Sequence, residues 1–153
     1  MTSGAVTNTV AEGQPRAELL WEQRFEARLP VLKRVRMSVL AAARQCGFDE
    51  ASARDIVLAV DEACKNVIVH AYDGVEGKDD IVLSVFESPD GIAIELRDFA
   101  PPVDPARIGP RDLDDVRPGQ LGTHFMREIM DSNAYRAAPD GVGNLLLMTK
   151  RRD

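Results

Sequence analysis

The sequence predicts a two-layer α/β sandwich, with an antiparallel or mixed sheet covered on one face by helices. Three observations predict it. Asp90-Gly91 and Asp140-Gly141 each stand between short strand-like runs, a strong hairpin signal. Two consecutive stretches, from Pro30 to about Gln45 and from about Ser52 to Ala71, repeat apolar residues at helical spacing. The chain has 153 residues, enough for one such domain, or one domain with a tail.

Residues 1–17 read as a disordered leader, rich in Thr, Ser, Gly and Ala and without apolar period, ahead of a domain spanning 18–153. From Leu19 the chain alternates. Leu19, Trp21, Gln23, Phe25 and Ala27 fall on one strand face, and Glu22, Arg24 and Glu26 on the other. Pro30 suits a first helical turn, Leu32, Val35, Val39 and Ala42 or Ala43 form the stripe of that helix, and Gly47 ends it. Asp49 is placed to cap the next helix, with Glu50 and Asp55 favouring its start. Its wide core face takes Ile56, Val60, Ala63 and Val67 with Val57, Cys64, Ile68 and Ala71. After a turn at Asp73-Gly74 and Gly77, strands are expected over about Asp80–Glu87 and Ile92–Asp98.

Five of the nine prolines lie within 101–118, so no long helix or central strand can run there. A loop of that length inside a compact domain is often functional, and the 99–118 segment reads as a lid. A helix from near Leu121 to Asp131 and strands over Asn133–Ala137 and Gly143–Lys150 complete the order.

Composition narrows the function. With 19 Lys and Arg against 25 Asp and Glu, the net charge of −6 argues against broad binding of a nucleic-acid backbone. A hydrophobic fraction of 44% with 29% charged residues is globular rather than disordered. No run approaches the roughly 20 apolar residues of a membrane span. Met1 to Pro15 lack the basic flank and apolar core of a signal peptide. Cys46 and Cys64 form neither a disulfide framework nor a metal-ligand spacing, so a reducing, cytoplasmic setting is expected.

Glu62, Asn66 and His70 are spaced four apart and share one face of the second helix. Two readings are open. The stripe is a solvated helix edge, with Lys65 as a surface charge beside it. Or it points into a cleft, where Glu62 accepts a proton and Asn66 offers its oxygen to a hard cation such as Mg²⁺. Asp98 continues the parity of Ile92, Ile94 and Leu96, so it either begins a turn or carries a carboxylate inward. Inward, it would need a hydrogen-bond donor, and the exocyclic amine of adenine is one. Gly119-Gln120-Leu121-Gly122, just before a helix, is a place where backbone amides bind phosphate. Thr123 offers a hydroxyl there or simply caps the helix. Arg111 and Arg117 either reach phosphates or are solvated loop charges.

Taken in order, Asp61-Glu62-Ala63-Cys64-Lys65-Asn66, His70-Ala71-Tyr72, Asp98 through Pro105, Gly119 to Gly122, Met130-Asp131, and Gly143-Asn144-Leu145 through Lys150 resemble the bacterial anti-sigma-factor serine/threonine kinases. These belong to the histidine-kinase-like ATPase superfamily, shared with gyrase and a heat-shock chaperone. The resemblance spans about residues 20–150. It implies a mixed, largely antiparallel Bergerat-type sheet, ATP and Mg²⁺ as cofactors, and protein serine/threonine kinase activity. It further implies Glu62 as general base, Asn66 as Mg²⁺ ligand, and Asp98 as adenine reader. Ala100 belongs to the same nucleotide site, which Gly119, Leu121, Gly122, Thr123 and Arg117 would complete around the phosphates. As partners it implies a sigma factor and an antagonist with a phosphorylatable serine, without direct nucleic-acid or membrane contact. The 30–45 helix, flanked by Arg34, Arg36 and Arg44, is a candidate interface for a partner or for a second copy in a homodimer, or an ordinary packed helix. Ala100 stands where the family has Gly, and Gln120 and Thr123 where it more often has Gly and Leu. These departures motivate the alternative expectation of a non-catalytic interaction module with the same fold.

Overall fold

A computed structural model describes residues 17–101 and 126–153. They form β1 (Glu18–Glu26), α1 (Leu29–Gln45), α2 (Glu50–Asn66), a π-helical turn (Val67–Ala71), β2 (Asp80–Ser88), β3 (Gly91–Asp98), β4 (Ser132–Ala137) and β5 (Asn144–Arg151). Residues 126–129 are also helical. The strands stand in the order β1-β2-β3-β5-β4, and among the described residues every pairing is antiparallel, so the sheet has no mixed part there.

The alternation places Ile81, Leu83 and Val85 of β2, Ile92, Ile94 and Leu96 of β3, and Leu146 and Met148 of β5 in the core. The helices bury Leu32, Val35, Val39, Ala42 and Ala43 from α1, and Ile56, Ala59, Val60, Ala63 and Cys64 from α2. Together they form one apolar cluster between helices and sheet, in which truncating a residue such as Ile94 costs about 2–5 kcal/mol. Cys46 and Cys64 are buried free thiols. No helix among the described residues is long and apolar enough to cross a membrane.

β1 departs from the simple alternation. A register shift between Leu19 and Trp21 puts Leu20 and Trp21 both against the core. Leu19 is thereby sent to the opposite face, where it packs with Ala17, Phe86, Ala93 and Leu147. One extra residue in a strand reverses the parity of everything before it, so Leu19 does not share a face with Trp21.

Helix α1 begins as Pro30 requires, but its first backbone donor is satisfied from afar: Leu29 N–H donates to Glu76 Oε1 at 2.8 Å. Asp49 caps α2 through Oδ1, which accepts from Ser52 N at 2.8 Å. That backbone hydrogen bond holds the Asp49 carboxyl below its ordinary range. Its stabilising share is therefore present above the unfolded aspartate pKa and lost as pH falls through the lowered one. Asp49→Ala is expected to lower the thermal midpoint at neutral pH and Asp49→Asn to leave it nearly unchanged, since Asn caps equally well. Calorimetric unfolding of the two variants checks this.

The second helix does not run regularly to Ala71. Its α-helical part ends at Asn66, and Tyr72 N–H reaches back five residues to Val67 O at 2.8 Å. The wider turn takes His70 out of the row of Glu62 and Asn66, and His70 is exposed. Asp73, at φ 56°, and Gly74, at φ 78°, then reverse the chain.

The β2–β3 hairpin pairs Ser88 with Gly91 around Pro89-Asp90. Gly91 is needed less for the turn than for its neighbour: a Cβ there would lie 2.0 Å from the Lys150 carbonyl oxygen of β5. In the β4–β5 turn, Arg97 Nη2 bonds both Asp140 carboxylate oxygens and Val142 O, each at 2.8 Å. The expected helix to Asp131 ends at residue 129, where Lys150 Nζ donates to Ile129 O at 3.0 Å and Asp131 N–H joins Thr149 O. The leader's residues 1–16 lie outside the described residues, as do 102–125.

Candidate functional site

Asp98 closes β3 on its inward face and is 8% exposed. The strand parity therefore does bring a carboxylate inside. Asp98 Oδ1 accepts from Asn144 Nδ2 and from Ala100 N, both at 3.0 Å. Burial pushes the carboxyl above the ordinary aspartate range, while the hydrogen bonds from Asn144 and Ala100 favour its charged form. Ala100 sits without backbone strain, because Asp73 is the one non-glycine residue with positive φ among those described.

Asn144 pairs with Asp98 across β5 and β3, and its amide also donates to Pro101 O at 3.3 Å. The pairing depends on Gly143. Its φ is +87°, and a Cβ there would stand 1.9 Å from the Asp98 carbonyl oxygen. Gly143→Ala is expected to lower stability by about 2 kcal/mol or more, since both left-handed backbone and clash must be relieved. Urea unfolding measures the loss. An unchanged midpoint would mean that β5 does not approach Asp98 this closely.

Glu62 and Asn66 occupy successive turns of α2, and both are half-buried. Lys65 is more than a surface charge. Its Nζ lies 3.0 Å from Asp61 Oδ2 and 3.5 Å from Glu62 Oε1. Asp61, only 8% exposed, gives its other oxygen to Arg36 Nη1 of α1 at 2.9 Å. Arg44 is likewise engaged, by Glu50. Two of the three arginines flanking the α1 stripe are thus spent on contacts to α2.

The ends of α2 and β3 are tied together by Tyr72, which is buried just after the π turn. Its hydroxyl donates to Asp80 O at 2.5 Å and accepts from Phe99 N at 2.9 Å. Burial pushes the phenol up to about 12. The Phe99 ring is flanked by the Arg24 and Arg97 guanidinium groups, 4.5 and 4.9 Å from its centroid. The chain leaving Asp98 is therefore fixed to the segment that follows Asn66.

Gly119, Leu121, Gly122, Thr123, Arg111 and Arg117 lie outside the described residues. Among the described residues, no group of three or more His, Cys, Asp or Glu is placed to hold a metal. A cavity of about 260 Å³ lies on the sheet face away from the helices, lined by residues including Glu22, Ser84, Glu95, Arg97 and Asp140. Glu62, Asn66 and Asp98 do not line it.

Sequence reasoning assigns no separate role to Asp61, Tyr72, Phe99 or Asn144. For Asp61 a signal exists, an acid and a lysine four apart on one helix. For Tyr72, Phe99 and Asn144 the signal lies in pairings between distant segments.

Residues 25–150 match the histidine kinase-like ATPase domain family. Serine-protein kinase RsbW of Bacillus pumilus is 26% identical over 140 residues, covering 86% of this chain and 85% of its own. The protein of the same name from Halalkalibacterium halodurans is 30% identical over 125 residues, covering 76% of this chain and 73% of its own. That of Bacillus cereus is 24% identical over 136 residues, with 84% and 82% covered.

Proposed function

The chain belongs to the histidine kinase-like ATPase domain family, in the branch of the serine-protein kinases, and on that premise we propose that it is an ATP-dependent anti-sigma regulator. It phosphorylates a serine on a protein antagonist and thereby controls a sigma factor by partner switching. The observation that carries the reading is Asp98, a buried acid steadied by Asn144 and Ala100 at the sheet end that Tyr72 ties to the segment following α2. A buried carboxylate calls for a donor, and the amino N–H of adenine matches it. The donor types on α2 fit the rest of the group: an amide oxygen on Asn66 suits Mg²⁺, which prefers oxygen ligands and retains waters.

When bound, Mg-ATP supplies the phosphoryl group and the ion neutralises phosphate charge. Asp98 orients the purine by accepting from its amino group. Asn66 would hold the ion through its side-chain oxygen. Glu62 takes the proton of the acceptor serine hydroxyl on a carboxylate oxygen. Gly119, Leu121, Gly122, Thr123 and Arg117 are proposed for the phosphates on their sequence motif alone. The ATP-binding domain is taken as 18–153, acting in the cytoplasm.

Calorimetric titration of the full chain with Mg-ATP tests this. One binding event per chain is expected. Absence of heat, with partner binding intact, favours the non-catalytic interaction module instead.

A further inference from the structure

The contacts around Glu62 contain a feature that base catalysis by a lone carboxylate does not need. Lys65 has a long, mobile side chain that would ordinarily wave in solvent. Here its ammonium is held 3.0 Å from Asp61 Oδ2, and Asp61 is itself buried and held from α1 by Arg36 at 2.9 Å. The anchor fixes the ammonium at 3.5 Å from Glu62 Oε1. We propose that Lys65 is a positioning residue for Glu62, with the Arg36–Asp61 pair as its fixed mount. The inference rests on the reading of Glu62 as general base.

The physical argument is Coulombic. A carboxylate beside a fixed ammonium is drawn to one orientation, and one orientation of the base is what in-line proton acceptance needs. The charged groups bearing on Glu62 from its own helix are Lys65 and Asp61, and from α1 Arg36, which reaches it through Asp61. Lys65 is 42% exposed on its side chain and lies outside the apolar cluster between helices and sheet, and Arg36 still pairs Asp61 when Lys65 is replaced.

The test compares the full chain with Lys65→Met and Lys65→Arg. Three readouts are taken: the carboxyl-carbon NMR resonance of Glu62, identified by its disappearance in Glu62→Gln; Mg-ATP affinity by calorimetry; and transfer of labelled phosphate from Mg-ATP to protein or water. Lys65→Met is expected to displace the Glu62 resonance and slow transfer by about 10-fold or more, with Mg-ATP affinity within about 2-fold of the parent. Lys65→Arg is expected to restore both resonance and rate. A Glu62 resonance unmoved in Lys65→Met overturns the proposal, as does a slowed rate that Lys65→Arg fails to recover. Should the parent chain bind no Mg-ATP, the kinase reading fails by itself. The resonance still decides whether Lys65 governs Glu62.

Discussion

Asp98→Asn is expected to weaken Mg-ATP binding by about 100-fold or more, while leaving the fold at least as stable as the parent at neutral pH. The substitution keeps size and shape. The new amide still offers an oxygen to the Asn144 side chain and the Ala100 N–H, which in the parent meet at Asp98 Oδ1. What changes is the other half of the group: an amide NH₂ confronts the purine amino group with donor against donor. The stability side follows from the raised carboxyl pKa, whose first cause is burial. An acid whose pKa is raised by folding is penalised in its charged form. The penalty is present above the raised pKa and disappears as pH falls through it toward the unfolded value. The neutral amide never incurs it. Calorimetry with Mg-ATP and a thermal scan without nucleotide check both halves. In the parent, affinity should fall as pH drops through the raised Asp98 pKa, and in the variant that slope should be absent. Undiminished affinity in Asp98→Asn would remove Asp98 from the site. A large fall in thermal midpoint would make the residue structural first.

Glu62→Gln is expected to slow phosphoryl transfer to the antagonist serine by about 10²- to 10⁴-fold, with Mg-ATP affinity within about 3-fold of the parent. Gln fills the same volume on the same half-buried turn of α2 but cannot accept the serine proton. The side chain also loses its ion pair with Lys65 at 3.5 Å, an exposed enough contact that its removal should leave stability nearly unchanged. Single-turnover transfer from radiolabelled ATP separates the two terms. If rate survives while the chain binds nucleotide, Glu62 is not the base. If affinity collapses with the rate, Glu62 acts on the nucleotide rather than on the acceptor.

The places where sequence and structure part have physical causes. Leu19 leaves the face that alternation assigns it because a bulge in β1 adds one residue, and strand parity carries no record of insertions against a partner strand. His70 leaves the Glu62 row because the last turn is π-helical, while helical spacing assumes one pitch throughout. Gly91 has the look of a turn residue, yet its missing side chain serves the passage of β5. Lys65 has the look of a surface charge, because the Arg36 that steadies its partner comes from another helix.

Residue spacing by itself determined the two helices and the placing of Glu62 and Asn66 on one face, the Asp-Gly pairs marked the hairpins, and for Asp98 strand parity left a turn start and an inward carboxylate both open. All of these are set within about a dozen neighbouring residues, where strand and helix periods act directly on the chain. The tertiary structure alone decided what steadies those residues: Asn144 on Asp98 across 46 positions, Tyr72 on Phe99 across 27, and Arg36 on Asp61 across 25. Such contacts depend on the order of strands and the approach of one element to another, and no local period encodes which distant partner will arrive.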